Sequence, residues 1–204
     1  MTHDFKVAFL LRVLAIFCNV SLSIILARNL SSGGYGQYAV AIAFIGLISI
    51  PIQLGLPALV VYQSAAYRAV SQLTFLKGLL VSSYILIILS SLILCFLLII
   101  YIPSIASNTN IPTMTLKFAL WLTPLFALAS VSAAFLRGAQ RPLLAQALDQ
   151  VFRPSIFLFV VIFLCLTIDN LKTYEIMKAQ VLSLLPVVLF GIILVIGFHR
   201  KCLN

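Results

Sequence analysis

Long apolar runs, each broken by a short polar or glycine-rich stretch, dominate this chain. A helix needs roughly 20 mostly apolar residues to cross the hydrocarbon core of a bilayer. Six segments qualify, at about 7–27, 38–62, 79–101, 115–135, 143–168 and 181–198. The first does not read as a cleavable signal peptide: it is too long, carries Arg12 inside, and runs into Arg28. The pattern predicts an all-α integral membrane protein, a single six-helix transmembrane lobe over residues 1–204.

Composition agrees. The hydrophobic share is 63%, the charged share 8% and the mean hydropathy +1.21, which excludes a water-soluble globule. The formal charge of +9 would suggest nucleic acid in a soluble chain, but here the cations sit in short loops and no nucleic-acid partner is expected. Their sidedness is more informative. With the termini together, one side holds Lys6, Arg12, Arg68, Lys77, Arg137, Arg141, Arg153, Arg200 and Lys201, and the other Arg28, Lys117, Lys172 and Lys178. That division, 9 against 4 of the 13 cations, puts both termini in the cytoplasm by the positive-inside rule. Most tyrosines fall near span ends, as in an interfacial aromatic belt.

Polar residues inside spans each need a reason. Arg12, Asn19 and Ser23 are 7 and 11 residues apart and share one helical face. They either line a central cavity, or Arg12 snorkels to the headgroups while Asn19 bonds a neighbouring helix. Arg28 lies in a glycine- and serine-rich stretch, 27–36, that reads as a tight turn. Pro51, Gln53, Gly55 and Pro57 interrupt the second span, as in transporter helices that expose backbone to a cavity, or as a static kink. Ala129/Ala133 and Ser130/Ala134 predict close helix packing in the fourth span. Residues 102–115 read as an external loop, and His199-Arg200-Lys201 as a cytoplasmic stop.

The fifth segment is the most polar. Pro142 suits a first helical turn, and Gln146, Asp149, Gln150 and Arg153 then follow at i, i+3, i+4 and i+7. Asp149 precedes Arg153 in the favourable ion-pair order. This face is either a hydrophilic pocket or a self-neutralised helix start. Cys18, Cys95, Cys165 and Cys202 have no metal or disulfide spacing, and the two histidines and four acids are scattered. No metal, cofactor, catalytic residue or enzymatic activity is expected.

In order and spacing, three stretches resemble the polysaccharide flippase family of the multidrug/oligosaccharidyl-lipid/polysaccharide exporter superfamily. They are Leu26-Ala27-Arg28-Asn29-Leu30 with Gly34-Tyr35-Gly36-Gln37-Tyr38; Gln53-Leu54-Gly55-Leu56-Pro57; and Leu136-Arg137-Gly138-Ala139-Gln140-Arg141-Pro142 leading to Arg153-Pro154. The resemblance implies a MATE-like bundle, one lobe of a two-lobe transporter with a central cavity. It implies a bacterial cytoplasmic (inner) membrane protein that moves undecaprenyl-pyrophosphate-linked sugars, precursors of polysaccharide or lipopolysaccharide O-antigen, to the outer leaflet. Six helices make one lobe, so a truncated gene product, a fragment or half of a split transporter is expected, working with a second lobe or as a homo-oligomer. The candidate cavity residues are Arg12, Asn19, Arg28, Gln53, Gln146, Asp149, Gln150 and Arg153. Two alternatives are a drug or cation antiporter lobe, which the lack of acids at span centres disfavours, and a non-transporting assembly subunit.

Overall fold

A computed structural model describes the backbone of residues 2–70, 72–109, 112–167 and 171–203. Helices α1 (Thr2–Asn29), α2 (Ser32–Gln53), α3 (Leu56–Ala69), α4 (Leu73–Thr109), α5 (Thr113–Gly138), α6 (Pro142–Gln146), α7 (Arg153–Thr167) and α8 (Thr173–Leu203) follow in order. A π-helical segment, Ala147–Phe152, joins α6 to α7 without a break. No strand occurs among the described residues. Six helical stretches are long and apolar enough to span a membrane: Phe5–Asn29, Gly33–Gln53, Thr74–Ile100, Thr113–Gly138, Pro142–Thr167 and Thr173–Gly197. The chain is a multi-pass, all-α membrane protein.

The centre of the bundle is α5. In its most apolar stretch 67% of the residues are buried, against 11–39% in the other spans, and it packs against α2, α3, α4 and α8. Its small residues permit this, since Ala127, Ala129, Ser132, Ala133 and Ala134 are all buried. The helices α3 and α5 approach closely at Gly138, where a Cβ would lie 1.8 Å from Ser64 Oγ and 2.7 Å from Val61 O of α3. Tyr84 Oη and Ser132 Oγ, 2.8 Å apart, join α4 to α5, and an Arg68 guanidinium N–H donates to the Ala139 carbonyl beyond α5. By contrast α1 leaves Phe5, Phe9, Leu10, Val13 and Phe17 exposed, an apolar face suited to lipid.

Three sequence expectations shift. The turn expected over 27–36 contracts to Leu30–Ser31: Ser31 Oγ accepts from Gly34 N at 3.1 Å, an N-cap that draws the glycines into α2. The expected span 38–62 divides at Leu54 and Gly55, both with positive φ (47° and 71°), and Pro57 then lies in the first turn of α3. Proline favours a first turn over a helix interior, so a break replaces a kink. The expected external loop from 102 is helical to Thr109. Polarity there marks the membrane edge, and serine or asparagine lowers helix propensity without forbidding helix. The side chains of His199, Arg200 and Lys201 lie outside the described residues.

Candidate functional site: a polar cleft at membrane depth

Helices α1 and α2 leave their short turn and diverge: α1 packs on α7 and the π segment, α2 on α5. Between them opens a cleft of about 490 Å³. On its α1 wall, Arg12, Asn19 and Leu22 span ten residues, about 15 Å of helix. Asp149, Gln150 and Arg153 line the wall beside it, with Tyr38, Phe126 and Gln180 contributed by α2, α5 and α8.

Local sequence sets the second wall. Pro154 has no N–H for the Gln150 carbonyl, and its ring crowds that residue. The helix meets this by widening into the π segment just before it. Within the widened turn Asp149 Oδ1 lies 3.7 Å from an Arg153 guanidinium nitrogen, and Asp149 Oδ2 lies 3.2 Å from one of Arg137. The Arg153 guanidinium also rests 3.5 Å above the centre of the Phe126 ring. A cation on an aromatic face gains about 0.5–2 kcal/mol, more as water is excluded. Gln146 donates to Gln150 Oε1 and to the Ala8 carbonyl, each at 3.2 Å, fastening α1 to the fifth span.

The expected residues are partly brought together. Arg12, Asn19, Asp149, Gln150 and Arg153 line one cleft, and Gln146 adjoins it through Gln150. Asn19 donates to Ala15 O of its own helix at 2.7 Å, not to a neighbouring one. Ser23 donates to Asn19 O and is absent from the lining. Arg28 and Gln53 also stand apart. Arg28 is exposed in the last turn of α1, about 24 Å from Arg12, where a cation complements the helix dipole. Gln53 projects from the same side of α2 as Ile42, but about 16 Å further along the axis.

Among the polar lining residues, Tyr38 and Gln180 were missed. Tyr38 donates to Gln180 Oε1 at 3.4 Å, and Gln180 is only 9% exposed. Starting the second and sixth spans at 38 and 181 had put both residues at the interface. The helices begin at Ser32 and Thr173, which sets each about two turns inside. The Ser31 cap and the Thr173 hydroxyl, which donates to Gly34 O at 3.3 Å, are the available signals.

Arg137 and Arg153 thus flank a single carboxylate, Asp149, and Arg12 lines the same cleft as Asp149 and Arg153. Arg12 has no ion pair among the described residues. The cleft is cationic, has hydrogen-bonding amides, and carries an aromatic face. No group of three His, Cys, Asp or Glu side chains able to hold a metal forms among the described residues.

No curated protein and no solved structure was found to match the chain. A family model described as polysaccharide biosynthesis protein matches residues 9–203, nearly the whole sequence. With its six spans and cationic cleft, the chain belongs to this family of polysaccharide biosynthesis proteins.

Proposed function

We propose that this chain is a flippase lobe that carries a lipid-linked sugar, joined through pyrophosphate to undecaprenol, across the bacterial cytoplasmic membrane. The observation that supports this most is the meeting of Arg12 and Arg153 in one cleft at membrane depth. Moving a pyrophosphate through the bilayer strips it of water, and planar guanidinium donors replace that hydration well. The amides of Asn19, Gln150 and Gln180 suit sugar hydroxyls. Both termini face the cytoplasm in this reading, and a second lobe or a second copy closes the cleft from the other side. No bond is made or broken.

Asp149 is held by two arginines, an arrangement that favours an anionic cargo over exchange of a cationic drug. Proteoliposomes holding a fluorescent undecaprenyl-pyrophosphate sugar test the proposal, with the chain alone and with a separately expressed second lobe. Accelerated exchange between leaflets in either case supports it. Exchange at the protein-free rate in both would favour a non-transporting assembly subunit.

A further inference from the structure

A second cavity lies on the far side of the bundle. Helices α4 and α5 part to form an apolar groove of about 510 Å³, bordered by Ile88, Cys95, Ile99, Leu120, Trp121 and Pro124. Its origin is Pro124, whose missing N–H releases the Leu120 carbonyl from the helix ladder. Thr123 Oγ1 donates to that carbonyl at 2.7 Å and Cys95 Sγ lies 3.6 Å from it, so the backbone is satisfied while the groove stays apolar. From Ile88 to Ile99 the groove runs about 16 Å along α4. That is roughly half of a ~30 Å hydrocarbon core, the depth of one leaflet's acyl chain.

The groove has one charged residue, Lys117, in the second turn of α5 and thus at the end of the span. Lys117 is exposed and makes no ion pair among the described residues. The two acids with described partners are engaged elsewhere: Asp149 with Arg137 and Arg153, and Glu175 with the Lys172 backbone N–H. A one-leaflet apolar slot capped by an uncompensated ammonium matches an anionic phospholipid in both length and charge. We propose that the α4–α5 groove binds one anionic phospholipid, with an acyl chain along Ile88–Ile99 and its phosphate on Lys117. This site is separate from the polar cleft and does not depend on what the cleft carries.

Trp121, 70% exposed on the groove, is the sole tryptophan of the chain. Its fluorescence therefore reports on this groove directly. The protein is reconstituted in phosphatidylcholine vesicles containing equal mole fractions of either brominated phosphatidylglycerol or brominated phosphatidylcholine. Brominated phosphatidylglycerol should quench with about fivefold higher apparent affinity, the size of one lysine–phosphate contact near a membrane surface. Lys117→Gln should abolish that preference, and Lys117→Arg should retain it. Equal quenching by the two lipids in the unaltered protein would overturn the proposal, leaving ordinary annular lipid. Negligible quenching by both would also overturn it, as expected of a groove covered by another protein surface. A preference that survives in Lys117→Gln would refute Lys117 as the phosphate ligand.

Discussion

Asp149 and Arg153 lie 3.7 Å apart across one turn, and the same carboxylate reaches Arg137 at 3.2 Å. Their side chains are about 30% exposed and line the cleft, so this is a cleft-wall network and not a buried ion pair. Substituting Arg153 alone also leaves Asp149 with one partner fewer. The informative change is therefore the pair Arg153→Ala with Asp149→Asn, set beside Arg12→Ala. A charge-assisted contact is worth about 1.5–3 kcal/mol, which corresponds to a slowing of roughly one to two orders of magnitude. Surface polysaccharide in a strain dependent on this chain should fall accordingly, at unchanged membrane abundance. Lysine at either position should restore output in part, keeping charge without the planar fork. Unaltered output would make these arginines structural.

The cleft floor makes a separate prediction. Gln180→Leu removes the acceptor for Tyr38 but keeps side-chain volume. One neutral hydrogen bond contributes about 0.5–1.5 kcal/mol, and leucine gains apolar burial, so melting temperature should stay near that of the parent. Flux of the lipid-linked sugar should fall at least severalfold. Loss of fold together with flux would assign Gln180 to packing instead.

Packing of α3 on α5 depends on Gly138. Gly138→Ala places a methyl 1.8 Å from Ser64 Oγ and 2.7 Å from Val61 O, and backbone cannot yield as a flexible side-chain tip does. Overpacking of this kind costs about 1–3 kcal/mol. The variant should melt several degrees lower in detergent. Adding Ser64→Ala should recover part of the loss, because the Val61 carbonyl remains in the way. An unchanged melting temperature for Gly138→Ala would mean that the helices do not cross this closely.

Orientation is open to a direct reading. Reporter fusions at Ser107 and Asn170 should register outside and a fusion at Asn204 inside, as the 9-to-4 cation bias requires. An outside signal at Asn204 contradicts the orientation on which the route of transport rests.

The helical bundle was legible because apolar runs of membrane length have few alternatives in lipid. The polar face of the fifth span was legible for a similar reason: Asp149 and Arg153, four apart, meet on almost any helix, widened or not. Positions that depend on where a helix starts were not. Tyr38 and Gln180 looked interfacial until the Ser31 cap and the Thr173 start set them two turns deeper. Gln53 shares the helical face of Ile42, and periodicity is blind to the distance along the axis that removes it from the cleft. The α4–α5 groove was not legible either, because a single proline such as Pro124 signals at most a bend in its own helix. The space it opens depends on which helix passes beside it.

The proposed role requires that the cationic cleft accept a lipid pyrophosphate. Binding of undecaprenyl pyrophosphate to the purified chain, measured against undecaprenol by native mass spectrometry, tests this most directly. The diphosphate should bind in clear preference. Arg12→Gln combined with Arg153→Gln and Asp149→Asn should weaken it by roughly ten- to a hundredfold or more and leave undecaprenol binding unchanged. Equal affinity of the parent for diphosphate and alcohol, or undiminished diphosphate binding by the triple variant, would contradict it.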